Sequence, residues 1–119
     1  NPGANDFQLP DLFLKVGRKV CEWNLYGNAG LVVGATRAQC IAELRKICGK
    51  IPFLIPGIGS QGGDLSETIN SAEDGTKIPY VISTSRTILY ASSSEDYAIK
   101  ASNVAKDLRD KINLCRSSL

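Results

Sequence analysis

The stretch at 53–64, Phe-Leu-Ile-Pro-Gly-Ile-Gly-Ser-Gln-Gly-Gly-Asp, constrains what this chain can fold into more than any other part of it. Phe53-Leu54-Ile55 reads as a strand buried on both faces, and Pro56 with the glycines behind it ends that strand. Gly57, Gly59, Gly62 and Gly63 carry no Cβ, so several backbone N–H groups can converge on one cluster of ligand oxygens. Asp64 then opens a helix, whose N-terminal end favours an anion. A phosphate suits such a loop; a glycine-rich strand-to-helix turn with no ligand is the alternative.

Gly57-Ile58-Gly59-Ser60-Gln61-Gly62 also satisfies the dinucleotide fingerprint G-x-G-x-x-G. That reading needs an acidic residue roughly 20 positions on, at the end of the next strand. The next strand, Tyr80-Val81-Ile82, runs instead into Ser83-Thr84-Ser85-Arg86, while Glu73 and Asp74 come before it. The dinucleotide reading is therefore disfavoured. An arginine at the carboxyl end of a strand can grip a phosphate with two parallel hydrogen bonds; a surface ion pair is its other use.

Leu31-Val32-Val33, Phe53-Leu54-Ile55 and Tyr80-Val81-Ile82 are short apolar runs separated by helical patterns, which predicts an α/β fold with parallel strands. Residues 11–23 predict an amphipathic helix whose stripe of Leu12, Val16 and Val20 packs on the sheet. Thr36 is placed to cap a second helix that turns Ile41, Leu44 and Cys48 inward and stops at Gly49. A short helix follows at 64–72. Ser92-Ser93-Ser94-Glu95 fits a capping box for a last helix at about 96–114, with Tyr97, Ala101, Val104, Leu108 and Ile112 on one face. Its other face alternates in charge and reads as solvated. Gly34-Ala35 at a strand end either leaves room for a substrate or allows tight packing.

The chain is 43% hydrophobic and 22% charged with a net charge of +2, a globular composition without the basic excess that nucleic-acid binding needs. Its apolar runs are short and broken, so neither a transmembrane helix nor a signal peptide is expected. There is no histidine, which rules out Ser-His and Cys-His catalysis and histidine-ligated metal from this chain's own residues. Cys21, Cys40, Cys48 and Cys115 contain no C-x-x-C pair, and Cys40 and Cys48 would lie about 12 Å apart along one helix. Free thiols in a reducing, cytoplasmic setting are the expectation.

Asn1-Pro2-Gly3-Ala4, Gly30-Leu31-Val32-Val33-Gly34-Ala35-Thr36, the loop at 56–64 and Ser83-Thr84-Ser85-Arg86 resemble, in order and spacing, the C-terminal half of the orotidine 5'-monophosphate decarboxylases. The resemblance covers nearly all of the chain. It implies an α/β fold that is the C-terminal half of a (β/α)8 TIM barrel, with residues 1–119 forming about strands 6 to 8 and their helices. Such a barrel takes about 250 residues. With no methionine and a first residue of Asn1, the chain is expected to be a fragment, a cleavage product or one chain of a split enzyme.

The resemblance further implies a lyase of pyrimidine biosynthesis, converting orotidine 5'-monophosphate to uridine 5'-monophosphate with neither metal nor organic cofactor. Gln61 and Arg86 would hold the 5'-phosphate, joined by the N–H groups of Ser85 and Arg86, and Pro56 would border the pyrimidine. Ser60 stands where alanine is usual and Thr84 where serine is common. The family's Asp-x-Lys-x-x-Asp motif does not occur in the sequence, so no catalytic residue is expected in this chain. The partners implied are the nucleotide, an N-terminal half carrying the catalytic Lys/Asp array, and a homodimer of the whole enzyme, with no nucleic acid and no membrane. A non-catalytic phosphate-binding or assembly half-barrel is the alternative, and another phosphate-gripping barrel the third. A half-barrel would leave two open strand edges, near Leu31 and Val81, and be marginally stable alone.

Overall fold

A computed structural model describes residues 9–59, 63–73, 75 and 79–119. Three parallel strands form one sheet in sequence order: β1 (Leu31–Val32), β2 (Phe53–Pro56) and β3 (Tyr80–Ser83). Val32 pairs with Leu54 and Leu54 with Val81, and the last pair is Pro56 with Ser83. The helices are α1 (Leu9–Trp23), α2 (Ala38–Cys48), α3 (Leu65–Ala72), the single turn α4 (Arg86–Leu89) and α5 (Tyr97–Ser117). This is the parallel α/β order that the alternation of apolar runs and helical patterns predicts.

Because side chains alternate along a strand, the two faces of the sheet separate cleanly. Phe53 and Ile55 point to the helices and are buried, together with Ile41 and Leu44 of α2 and Ile69 of α3. The opposite face carries Val32, Leu54 and Val81, one residue per strand in a single register row, and all three are exposed. Grooves of about 470 and 450 Å³ flank the two edge strands, the first lined by Leu12, Val16 and Val32, the second by Val81, Leu108 and Ile112. Among the described residues no layer covers this apolar face.

α1 starts earlier than its apolar period predicts, with Pro10 in its first turn, where proline costs no hydrogen bond. Its orientation also differs. Leu12 and Val16 are about half exposed, and it is Phe13, Leu14, Val20 and Cys21 that touch the core. Gly17 is the reason: a Cβ there would collide with Leu44 Cδ2, so α1 lies on α2 through its glycine and turns Leu12 and Val16 toward the open edge.

The caps follow chemistry only in part. Asp64 caps α3 as expected, its Oδ1 accepting from Glu67 N at 2.7 Å, and Gly49 ends α2 at φ +46°. Thr36 does not cap α2; it lies inside a 3-10 turn, Ala35–Arg37, that precedes the helix. The expected capping box is also absent: α5 begins at Tyr97, and Ser92 Oγ donates to Asp96 Oδ1 at 2.5 Å instead. Asp107–Lys111 and Arg109–Asp110 form exposed pairs on α5, the solvated face expected there. Tyr97 is exposed, while Leu108 reaches the core.

At the amino end of β3, Tyr80 Oη donates to Glu73 Oε1 at 2.8 Å, and Arg116 of α5 reaches the same oxygen at 2.7 Å. Burial, and then this hydrogen bond, pushes the Tyr80 hydroxyl above its ordinary value of 10.0. Burial, and then the adjacent Cys21 thiol, pushes Cys48 from 9.0 up to about 12. Both groups favour their neutral form in the fold. Their contribution is therefore complete well below the unfolded values of 9.0 and 10.0, begins to be lost as pH approaches them, and goes on falling until pH reaches the raised values of the fold. Urea unfolding is expected to show stability level between pH 7 and about 8.5 and falling above it, with Tyr80→Phe flattening the part above about pH 10; a profile still level at about pH 10.5 would contradict this.

The cysteines Cys21, Cys40, Cys48 and Cys115 are all free. Among the described residues no helix is long and apolar enough to cross a membrane, and no cluster of metal-ligating side chains occurs.

Candidate functional site

The three strands deliver their following loops to one edge of the sheet. Pro56, half-buried, ends β2 on the same face as Leu54, opposite Ser83 of β3. Gly57 (φ +100°) and Gly59 (φ +85°) then take backbone conformations that L side chains rarely adopt, so these two positions require glycine. Gly63 N donates to Gly57 O at 2.9 Å and closes the turn on itself. A Cβ on Gly63 would meet Gly57 O at 2.5 Å and Ala35 Cβ at 2.9 Å. Only a glycine lets the turn lie against the β1–α2 connection.

That contact separates Gly34 from Ala35. Ala35 is buried and serves packing, whereas a Cβ on Gly34 would have no neighbour nearer than 3.8 Å, so Gly34 leaves open space at the strand end.

The glycine turn also touches the loop after β3. Thr84 Oγ1 donates to Ile58 O at 3.4 Å, and Thr87 Oγ1 lies 2.7 Å from where a Cβ of Gly59 would stand. The β3 loop continues directly into α4, which begins at Arg86. Ser85 and Arg86 are exposed there, and among the described residues Arg86 makes no salt bridge. The first N–H groups of a helical turn have no acceptor within it. The edge therefore brings together open backbone donors, the exposed Arg86 and the room left by Gly34. An oxyanion meets complementary charge and donors on such an edge. Gln61, and with it Ser60 and Gly62, lies outside the described residues, as do Asn1 to Ala4.

The most buried cation among the described residues is elsewhere, at the opposite end of the sheet. Arg45 is 3% exposed and stacks on the Phe53 ring with its guanidinium carbon 3.9 Å from the centroid. Nε donates to Ala72 O at 3.1 Å, and Nη1 to Gly49 O at 3.1 Å and Ile51 O at 2.8 Å. Sequence reasoning missed it, although its signal is present: Arg45 falls on the same helical stripe as Ile41, Leu44 and Cys48. The Thr84 and Thr87 contacts were missed for another reason. Two residues 26 apart in sequence meet there, and no local pattern encodes that.

No family model matches the chain. Among curated proteins it is similar to orotidine 5'-phosphate decarboxylases. It is 44% identical over 120 residues to that of Aromatoleum aromaticum, covering 95% of this chain and 44% of the relative. It is 42% identical over 120 residues to that of Roseiflexus castenholzii, with coverage of 95% and 44%. It is 43% identical over 122 residues to that of Dehalococcoides mccartyi, with coverage of 95% and 45%. The chain thus spans less than half the length of these relatives. Among solved structures, UMP synthase of Leishmania donovani matches with a TM-score of 0.74 and 33% identity over 98% of this chain and 26% of that one. The parallel sheet with its helices thereby matches part of a TIM barrel, as the motifs imply.

Proposed function

We propose that this chain, a homologue of the orotidine 5'-phosphate decarboxylases over 95% of its length and 44% of theirs, is the phosphate-gripping part of such an enzyme. The reaction is decarboxylation of orotidine 5'-monophosphate to uridine 5'-monophosphate, without metal or organic cofactor. The observation that carries this reading is the meeting of the glycine turn with the Thr84–Thr87 loop at one sheet edge, next to an arginine with no salt bridge among the described residues.

Arg86 donates two parallel hydrogen bonds to the 5'-phosphate, and the N–H groups of Ser85 and Arg86 complete its shell with Gln61. Pro56 borders the pyrimidine. The phosphate is remote from the carbon that loses carbon dioxide, so its binding energy serves to hold the substrate in register rather than to make the chemical step. The reacting groups come from a second element. The sequence contains no Asp-x-Lys-x-x-Asp, so the lysine that protonates the departing carbon and the carboxylate beside it are supplied by an N-terminal part of the barrel. The exposed row of Val32, Leu54 and Val81 is the surface that this part covers, and the whole enzyme is a homodimer.

The same absence of the lysine motif favours a second reading, a non-catalytic phosphate-binding or assembly module. Titration of the chain with uridine 5'-monophosphate and with uridine, followed by backbone amide resonances, tests what both readings share. Tighter binding of the nucleotide, with shifts at Ser85, Arg86 and Thr87, is expected; equal binding of the two, or shifts elsewhere only, would remove the phosphate site.

A further inference from the structure

Two loops that the phosphate reading treats as separate suppliers of hydrogen-bond donors are joined by threonine side chains. Thr84, half-buried at the end of β3, reaches across to Ile58 O, the carbonyl between two glycines with positive φ. Thr87, one residue beyond Arg86, places its Oγ1 against Gly59, in the volume that any Cβ at 59 would occupy. One threonine thus pulls on the glycine turn through a hydrogen bond and the other stops it by contact. They flank Ser85 and Arg86 on both sides in the sequence.

We propose that Thr84 and Thr87 form a clasp that fixes the distance between the glycine turn and Arg86, and that they are positioning residues for phosphate recognition. The proposal rests on the phosphate reading above. Its physical basis is that an anion held by donors from two loops is bound tightly only if the loops are already spaced for it; a turn with two positive-φ glycines gains its freedom at the cost of that spacing unless something braces it. A hydroxyl at 84 is needed for the hydrogen bond, and a side chain longer than alanine's at 87 is needed to bring an atom against Gly59. The clasp also explains why position 59 must be glycine twice over, once for its φ of +85° and once for the space that Thr87 fills.

The test uses the full chain carrying both Thr84→Val and Thr87→Ala, with Thr84→Ser as the conservative variant and Gly59→Ala as a third that pushes the turn away from Thr87. Affinities for uridine 5'-monophosphate and uridine are read from the same amide titrations, at equal folded fraction. The expected result is a loss of about tenfold in nucleotide affinity for the double variant and for Gly59→Ala, uridine affinity unchanged, and nearly full affinity in Thr84→Ser. A merely structural role would lower both ligands alike or neither. If the unaltered chain prefers the nucleotide and the double variant keeps that preference, the clasp is overturned and the phosphate site stands. If the unaltered chain shows no preference, the phosphate reading falls and the clasp falls with it.

Discussion

Replacing Arg86 by alanine is expected to weaken uridine 5'-monophosphate binding about 100-fold while leaving uridine binding within about twofold. The magnitude follows from two charge-assisted hydrogen bonds to the phosphate, each worth about 1.5 kcal/mol or somewhat more. The selectivity follows from chemistry: the nucleoside has no phosphate to lose. Arg86 lies exposed at the start of α4 and makes no salt bridge among the described residues, so its removal breaks no ion pair there. Lysine at this position is expected to recover only part of the loss, because an ammonium cannot present the planar fork. Equal losses for the two ligands would take Arg86 out of the phosphate role.

The second large effect lies at the other end of the sheet. Arg45→Met is expected to destabilise the chain by about 3–5 kcal/mol, although methionine matches the apolar length of the side chain. Three backbone carbonyls lose their donor together, those of Ala72 and Ile51 in buried bonds and that of Gly49 in a part-buried one. Those carbonyls belong to the end of α3, the end of α2 and the residue before Pro52 at the entry to β2, so one guanidinium ties three segments. The stack on Phe53 is lost as well. Arg109→Ala, which removes only an exposed pair with Asp110, is expected to change stability by less than about 0.5 kcal/mol. Urea unfolding of the two variants side by side gives both numbers, and an Arg45→Met loss below about 1 kcal/mol would refute the buried-tie description.

These two arginines also mark where the sequence is informative. Arg86 stands out as a candidate because it follows a short apolar strand and sits in a run of small hydroxyl residues, and its exposed place at the start of α4 is what that position in the sequence leads one to expect. Arg45 is only half legible: it is the one arginine of α2 and falls on the inward stripe with Ile41, Leu44 and Cys48, but nothing local tells which carbonyls its guanidinium reaches. The strands and their parallel order were legible from their apolar runs and the helical stretches between them. The rotation of α1 was not, because Gly17 enters no hydrophobic period and yet decides which face lies on α2. Likewise Thr36 and Ser92 have the chemistry of caps, but Thr36 lies inside a 3-10 turn and Ser92 Oγ donates to Asp96 instead of capping a helix. Glycine positions 57 and 59 were readable because positive φ leaves few other residues possible there. Their bracing by Thr84 and Thr87 depends on a long-range meeting that no window of sequence contains.

The division of labour between this chain and a lysine-bearing complement is tested most directly by following the absorbance of orotidine 5'-monophosphate. The chain is assayed alone, then with a separately produced polypeptide that carries the Asp-x-Lys-x-x-Asp strands, then with that polypeptide and the Arg86→Ala chain. The expected result is no turnover in the first, turnover in the second, and in the third a rate at low substrate reduced about 100-fold. Failure of the second mixture, with both parts folded and associated, would contradict the division and leave a phosphate-binding module; turnover by the chain alone would contradict it from the other side.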